Sequence, residues 1–363
     1  MTASSPTVGI VGLGFGRAHI PAFQAAGCRV VALCQRDTNG AQVLAQRYDV
    51  PEVFGAWEQM LKTARPDIVV IATPPHLHHA ITLRAFEQGA HVLCEKPLAM
   101  TRVEGEAMVE AAERFGRVAM TDFNWRFPAA MQELNARVDD GSLGRVFQVT
   151  ARWLGARWAK ETDAATWRMD RSQAGHGSMG DMGVHLVDFV RWNFGEFTRV
   201  TARAGVAYPH RSAPGVSRPA DAEDHCAVLG ELASGATVTL VTSRVARGVN
   251  EHTLEAFGTG GAIAYRLVRE GARWWQGELR ATAGGDALEP VAPRAAPDDS
   301  AGTGDAMEVI GKATIAPLAA ELVQAIRTGR AASPSFEDGV RAQAVLDAVL
   351  ESATRGGSID LRH

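Results

Sequence analysis

The first 121 residues alternate short apolar runs with longer stretches of helical period, and that alternation leaves few folds open. Apolar runs fall at 8–11, 29–33, 67–72, 90–94 and 117–121. Helical stretches fall at 18–26, 40–48, 57–62, 77–88 and 101–115, two of them stopped by Gly89 and Gly116. Strands separated by helices of this length pair in parallel, and a parallel sheet needs helices on both faces. The pattern predicts an α/β fold with an N-terminal Rossmann-type, doubly wound parallel sheet. Ligands of such sheets bind beyond the carboxyl ends of the strands. Chemistry is therefore expected just after Val11, Leu33, Ala72, Cys94 and Thr121.

The pattern then changes. After a helix at 129–139 come runs of alternating character at 146–153, 200–206, 226–232, 236–242, 253–257 and 262–267, some parted by Gly-containing turns. They read as an antiparallel meander in an α+β domain, with a helix at 184–192. Residues 208–221 and 284–306 read as long loops, and helices at 315–328 and 337–354 close the chain. The expected division is a first domain over 1–122 and a second over 123–363.

Composition excludes several classes. Lys and Arg total 37 against 41 Asp and Glu, a formal net charge of −4, which gives no electrostatic case for nucleic acid or an anionic membrane surface. The apolar runs are far shorter than a membrane span. Residues 1–6 show neither a basic nor an apolar leader region, so a cytoplasmic protein is expected. The four cysteines, Cys28, Cys34, Cys94 and Cys226, form no C-x-x-C pair, so neither a disulfide framework nor a metal site is expected.

Within the first domain, Gly12-Leu13-Gly14-Phe15-Gly16 follows a strand and opens a helix, the context of a dinucleotide-binding turn. Glycines there permit the turn and a close backbone approach to a pyrophosphate, which the helix start stabilises. The spacing is one residue shorter than G-x-G-x-x-G. After the second strand, Gln35 stands where an acidic residue would accept from a ribose hydroxyl, and Arg36 follows. That pair favours NADP(H), with Asp37 close enough to keep NAD(H) open. Thr73, Pro74 and His78 lie at the next strand end as cofactor contacts, with His76 and His79 as weaker candidates. The fourth strand runs into Glu95-Lys96-Pro97, where Pro97 holds Lys96 out of helical conformation. Lys96 is thus placed as a hydrogen-bonding or proton-transferring group beside a nicotinamide. Asn124 and Arg126, after the fifth strand, are donors for the cofactor or a hydroxyl, or parts of a hinge.

In the second domain, Asp181 and His185 are four apart and share a face if helical. A carboxylate that orients an imidazole makes a proton acceptor for an alcohol. Asp188 is a second possible partner, and the glycines upstream leave room for a ligand. Trp153, Arg157, Trp158, Trp167 and Arg168 are candidate sugar contacts.

Taken in order, Gly12-x-Gly14-x-Gly16-x-x-His19, Glu95-Lys96-Pro97, Asp181-x-x-x-His185 and the closing Phe336-Glu337-Asp338-Gly339 resemble the Gfo/Idh/MocA oxidoreductases, the glucose–fructose oxidoreductase and inositol dehydrogenase type. The resemblance covers essentially the whole chain. It departs in the shortened glycine turn and in Pro75, where an asparagine is common. It implies an open, mainly antiparallel C-terminal sheet that mediates homo-oligomerisation as dimer or tetramer. It also implies bound NAD(H) or NADP(H), and oxidation of a secondary alcohol of a sugar, inositol or related polyol. The family's catalytic lysine, aspartate and histidine fall on Lys96, Asp181 and His185. Two rivals stay open: a glycosidase or lyase using transient oxidation, and a non-catalytic regulator that binds dinucleotide and sugar.

Overall fold

Ile68, Val69, Val70 and Ile71 are all fully buried, as a strand covered on both faces must be. They form β4 of a six-stranded sheet made of β1 (Thr7–Val11), β2 (Arg29–Cys34), β3 (Glu52–Phe54), β4 (Ile68–Ile71), β5 (His91–Cys94) and β6 (Ala119–Thr121). The computed structural model describes residues 5–211, 219–271, 273–283, 285, 287–294, 302 and 304–361. All pairings in this sheet are parallel, in the order β3-β2-β1-β4-β5-β6. The order reverses between β1 and β4, which opens the ligand crevice of a doubly wound sheet at their carboxyl ends. Five helices follow the expected stretches: α1 (His19–Ala25), α2 (Thr38–Arg47), α3 (Trp57–Thr63), α4 (His78–Glu87) and α5 (Arg102–Phe115). The Thr101 side chain accepts from Glu104 N at the start of α5, and Gly116 ends it at φ +62°, a left-handed cap that glycine adopts without strain.

The chain divides into two compact units, Met1–Phe127 with Asp298–Val340, and Pro128–Pro297 with Arg341–His363. The single boundary expected after residue 122 is therefore corrected: a distant segment returns to the first unit. The reason is burial. Ile20 and Phe23 of α1 need cover, and Leu318, Ala319, Leu322 and Val323 of the helix Ala316–Thr328 share one core with them. A Cβ on Gly311 would lie 2.2 Å from the Ala18 carbonyl oxygen, so that approach needs glycine. The stretch Ala306–Thr328 is long and apolar enough by length and composition to cross a membrane, but its apolar side chains are spent on this core.

The second unit holds a nine-stranded sheet built from β7 (Val146–Leu154), β8 (Phe197–Gly205), β9 (His225–Leu232), β10 (Thr237–Ser243), β11 (Glu251–Gly258), β12 (Gly261–Val268), β13 (Glu278–Ala283), β14 (Glu289–Pro290) and β15 (Ser358–Asp360). Its order is β14-β13-β12-β11-β7-β10-β9-β8-β15. All neighbours are antiparallel except β7 and β10, so the meander is interrupted where β7 inserts. Cys226, Val228 and Leu232 point inward from β9, and Leu229 points out at 55 % exposure, the alternation of a sheet with one covered face. β3, β14 and β15 are two or three residues long, too short to show a period in sequence. β13 was not foreseen either. Within the loop expected at 208–221, residues 212–218 lie outside the described residues; the one expected at 284–306 contains β14.

Leu322→Ala should cost about 2–5 kcal/mol of stability, the range for emptying a fully buried leucine site, measured by chemical denaturation. A loss below about 0.5 kcal/mol would show that the returning helix is not part of the first unit's core.

Candidate active site

The glycine turn fills three separate geometric tasks. Gly12 has φ +87°, and a Cβ there would stand 2.5 Å from the Ala72 carbonyl oxygen. Gly16 packs the helix start on β4's end, where a Cβ would come 2.9 Å from that of Ala72. Gly14 is exposed, and a Cβ on it would meet nothing within 4 Å. Tight turn, close helix packing and an open backbone are what a pyrophosphate cradle requires, and the shortened spacing supplies them all. Nearby, Thr73 Oγ1 is buried without a hydrogen-bond partner among the described residues. At the end of β2, Asp37 caps α2 by accepting from Gly40 N at 3.3 Å, while Arg36 is exposed and Gln35 half-buried.

The end of β5 is held from several sides. Glu95 N donates to Ile71 O at 2.8 Å, and Lys96 N donates to Glu95 Oε2 at 3.3 Å. Lys96 itself is partly exposed and its peptide to Pro97 is cis. His78 is fully buried: Nδ1 is 3.0 Å from Pro97 O and 3.3 Å from Leu98 O, and Nε2 is 2.9 Å from Thr73 O. Its ring staples two loops and has no edge left for a ribose, which corrects its expected cofactor contact. Asn124 and Arg126 are corrected likewise. Both are buried; Asn124 Nδ2 donates to Thr314 Oγ1 at 2.7 Å, and Arg126 reaches Ser333 Oγ at 3.3 Å and Asp338 Oδ2 at 3.4 Å. They tie the returning segment to the first unit, the hinge task.

Two residues the sequence reading passed over complete this edge. His19 Nε2 lies 3.1 Å from Glu95 Oε1 and 3.2 Å from Asp122 Oδ2, with His19 and Asp122 fully buried. Burial alone would lower the imidazole pKa, but its interactions with the accepting Asp122 and Glu95 carboxylates raise it to about 9. Burial and then the Asp122 charge push Glu95 up to about 7. Burial would raise Asp122 too, but the His19 hydrogen bond and charge hold it below its ordinary value. His19 stood in the quoted motif; only the fold gives it partners.

In the second unit, Asp181 lies in a π-helical segment, Met179–Gly183, that runs into the helix Val184–Phe194 carrying His185. The α-helical spacing assumed for the pair is thus replaced by a wider turn, a feature that recurs at functional sites. Gly177 and Gly183 do not leave ligand space. A Cβ on Gly177 would strike Glu223 O at 2.0 Å, and one on Gly183 would strike Met179 Sδ at 2.5 Å. Glu223 Oε1 accepts from Gly177 N and Met179 N at 2.8 and 3.0 Å and anchors the segment. Asp181 Oδ1 lies 3.5 Å from Arg168 Nε. Asp181 also acts on Arg269, whose guanidinium burial lowers to about 10 while the Asp181 charge raises it. Arg269 was not foreseen; a lone arginine at a strand end carries no motif.

His185 is 2 % exposed and stacks on Trp153 at 5.4 Å between ring centroids. Trp153 also lies 4.2 Å from the His252 ring, so it fixes the imidazole and is too buried to serve as a sugar platform. Trp158 is buried as well, with the guanidinium groups of Arg157 and Arg244 over it at 4.8 and 5.9 Å. Both expected sugar contacts are corrected to packing roles. Arg157 is exposed, Trp167 and Arg168 are partly exposed, and Arg168 lies 4.3 Å over Trp167. Asp188 is fully buried.

Two family models match. One, described as an oxidoreductase family with an NAD-binding Rossmann fold, covers residues 7–123, and the GFO/IDH/MocA C-terminal domain covers 131–264. The chain belongs to the GFO/IDH/MocA oxidoreductase family. Levoglucosan dehydrogenase of Pseudarthrobacter phenanthrenivorans is 29 % identical over 98 % of this chain and 97 % of its own. D-apiose dehydrogenase of Paraburkholderia graminis is 27 % identical over 97 % and 89 %. A solved structure of levoglucosan dehydrogenase in complex with NADH and levoglucosan superposes with a TM-score of 0.87 at 29 % identity, covering 99 % of this chain and all of that one. The chain is thus a member of an NAD-binding oxidoreductase family with the expected fold class.

Gly14→Ala should keep the melting temperature within about 2 °C but weaken dinucleotide binding, whereas Gly12→Ala should lower the melting temperature, because its Cβ meets backbone in a left-handed conformation. Calorimetry with and without dinucleotide separates the two; equal effects would remove the distinct task given to Gly14.

Proposed function

We propose that this chain is an NAD(P)-dependent dehydrogenase or reductase that moves a hydride between a nicotinamide and a secondary alcohol or ketone of a sugar-like polyol. The observation that carries the reading is Lys96, held at the carboxyl end of β5 on the same sheet edge as a glycine turn whose Gly14 backbone is open. The polyol substrate is supported by full-length similarity to dehydrogenases named for levoglucosan and D-apiose. When bound, the dinucleotide supplies the hydride-accepting ring; the remaining work falls to side chains.

Lys96 is assigned the hydrogen bond to the reacting oxygen, and His185 the proton of that hydroxyl. Stacking on Trp153 fixes the His185 ring, which favours one proton-transfer geometry over many. Asp181 is assigned to support the imidazole, with Arg168 holding the carboxylate in place. Arg157, Trp167 and Arg168 offer guanidinium and aromatic surface to hydroxyls. Gly12, Gly14, Phe15, Gly16, Thr73, Pro74, Gln35 and Arg36 are assigned to the dinucleotide. Asp37 is occupied as a helix cap and Arg36 is solvent-exposed, so a 2′-phosphate is better served than a ribose hydroxyl and NADP is placed ahead of NAD.

The outward row Leu229, Thr239, Thr150, Glu255 and Ala264 runs across β9, β10, β7, β11 and β12. We assign this face to self-association into a dimer or tetramer. Leu229→Lys should then lower the mass seen in light scattering; an unchanged mass would remove Leu229 from the interface.

Lys96→Ala should lower turnover by about a hundredfold or more, the lower end of the range for a lost proton-transfer partner, with dinucleotide affinity nearly unchanged. The assay is absorbance at 340 nm with a panel of sugars and polyols, using NAD and NADP separately. Activity within tenfold of the parent would remove Lys96 from the chemistry, and faster turnover with NAD would reverse the cofactor order.

A further inference from the structure

The reacting oxygen has its own groups in the reading above, and the His19, Glu95 and Asp122 cluster is not among them. The ring nitrogen and the two carboxylate oxygens all lie within 4.8 Å of one another. His19 and Asp122 are fully buried and Glu95 is 7 % exposed. His19 Nε2 is hydrogen-bonded to Glu95 Oε1 at 3.1 Å and lies at ion-pair distance, 3.2 Å, from Asp122 Oδ2. Two carboxylates this close and this dry do not both ionise without a compensating cation. His19 supplies one positive charge. With both acids ionised the cluster carries a net −1, and with one proton added it carries zero.

The proton belongs on Glu95. Asp122 has no exposed surface and faces both the imidazolium and the Lys96 ammonium. Glu95 sits under Lys96, at the edge where ligands of this sheet bind. The groups facing it are His19 from α1, Asp122 after β6, Lys96 in its own loop and His78 on α4. The neighbouring Cys94 thiol is pushed well up by burial and stays neutral. A dinucleotide spans the crevice where the strand order reverses. With Gln35 and Arg36 at the β2 end taking the adenosine half, the β5 and β6 ends are left for the nicotinamide half.

We propose that His19, Glu95 and Asp122 form a buried proton site that distinguishes oxidised from reduced dinucleotide, with Glu95 ionised beneath the cationic ring and protonated beneath the neutral one. His19 and Asp122 are positioning residues: they hold the Glu95 carboxyl and set the charge it works against. The inference rests on the cofactor placement proposed above, but not on the identity of the sugar. By linkage, a ligand that favours the ionised acid binds more tightly as pH rises, and it releases a proton near neutrality.

The test is dinucleotide binding by fluorescence and titration calorimetry from pH 6 to 8.5, with the full-length protein and no sugar present. The quantity read is the ratio of dissociation constants, oxidised over reduced, so that a 2′-phosphate common to both forms cancels. The ratio should fall about five- to tenfold across the range. Glu95→Gln should flatten it. His19→Asn removes the cation that favours the Glu95 anion and should move the midpoint to higher pH. Asp122→Asn removes a like charge and should move it to lower pH. A purely structural role would weaken both cofactor forms together and leave the ratio flat. A flat ratio in the parent, or a slope that survives Glu95→Gln, would overturn the proposal even if His19→Asn fails to fold. Turnover of no sugar at all would count against the polyol reading and leave this result standing.

Discussion

A fully buried imidazole between two carboxylates joins three elements of the first unit. His19 opens α1, Glu95 follows β5 and Asp122 follows β6, and Asp122 N donates to Cys94 O at 2.7 Å. The ring is further enclosed by Phe15 edge-on at 6.1 Å and Phe23 at 6.4 Å. Removing the imidazole from such a set leaves carboxylate charge uncompensated in the core, which costs more than the set gains over apolar packing. The loop carrying Lys96 therefore has little freedom at its Glu95 end. Its far end is held by the buried His78 ring against Pro97 and Leu98. Fixing a reactive side chain through its backbone on both sides is how a site avoids reorganising during reaction.

The second unit solves the same problem with guanidinium groups. Arg244 is 1 % exposed, and its Nε donates to Asp224 Oδ1 at 2.8 Å. Its other nitrogens donate to Arg168 O and Ala222 O, each at 2.9 Å. Arg211 donates to Trp158 O and Lys160 O at 2.6 and 2.7 Å. Two buried cations thus tie down the carbonyls of an irregular segment that has no ladder of its own. The consequence reaches Asp181, because the Arg168 backbone held by Arg244 carries the side chain that meets the Asp181 carboxylate.

Much of this was legible in the sequence, and the failures share one cause. The parallel sheet could be read because apolar runs and glycine stops mark each βα unit, as at Gly116. Lys96, Asp181 and His185 could be singled out as candidates because each stands in a short motif. A motif marks where a residue lies along the chain; it does not fix which way the side chain turns. Asn124, Arg126, His78 and Trp158 are at the expected positions, yet each points into protein. The return of 298–340 depends on α1 needing cover, a demand no local window contains. Glu95 and His19 are 76 residues apart in sequence, so their pairing is a product of topology. The Asp181 and His185 spacing was read with an α-helical period that the π-helical segment does not obey.

The buried proton site also bears on how the overall reaction handles its proton. Oxidation of an alcohol by a nicotinamide gives up one hydride and one proton. Under the proposed site, Glu95 would lose the electrostatic reason for its ionised form once the bound dinucleotide is reduced, and the acid would regain a proton. Near neutrality the proton lost from the alcohol is then balanced by one taken up in the first unit. Proton release is deferred to cofactor exchange, when reduced dinucleotide leaves and oxidised dinucleotide binds. A carboxylic acid poised this way favours neither redox form by shape. On this proposal it would favour each according to pH, and the direction in which the enzyme is easiest to run would be set partly by His19, Glu95 and Asp122.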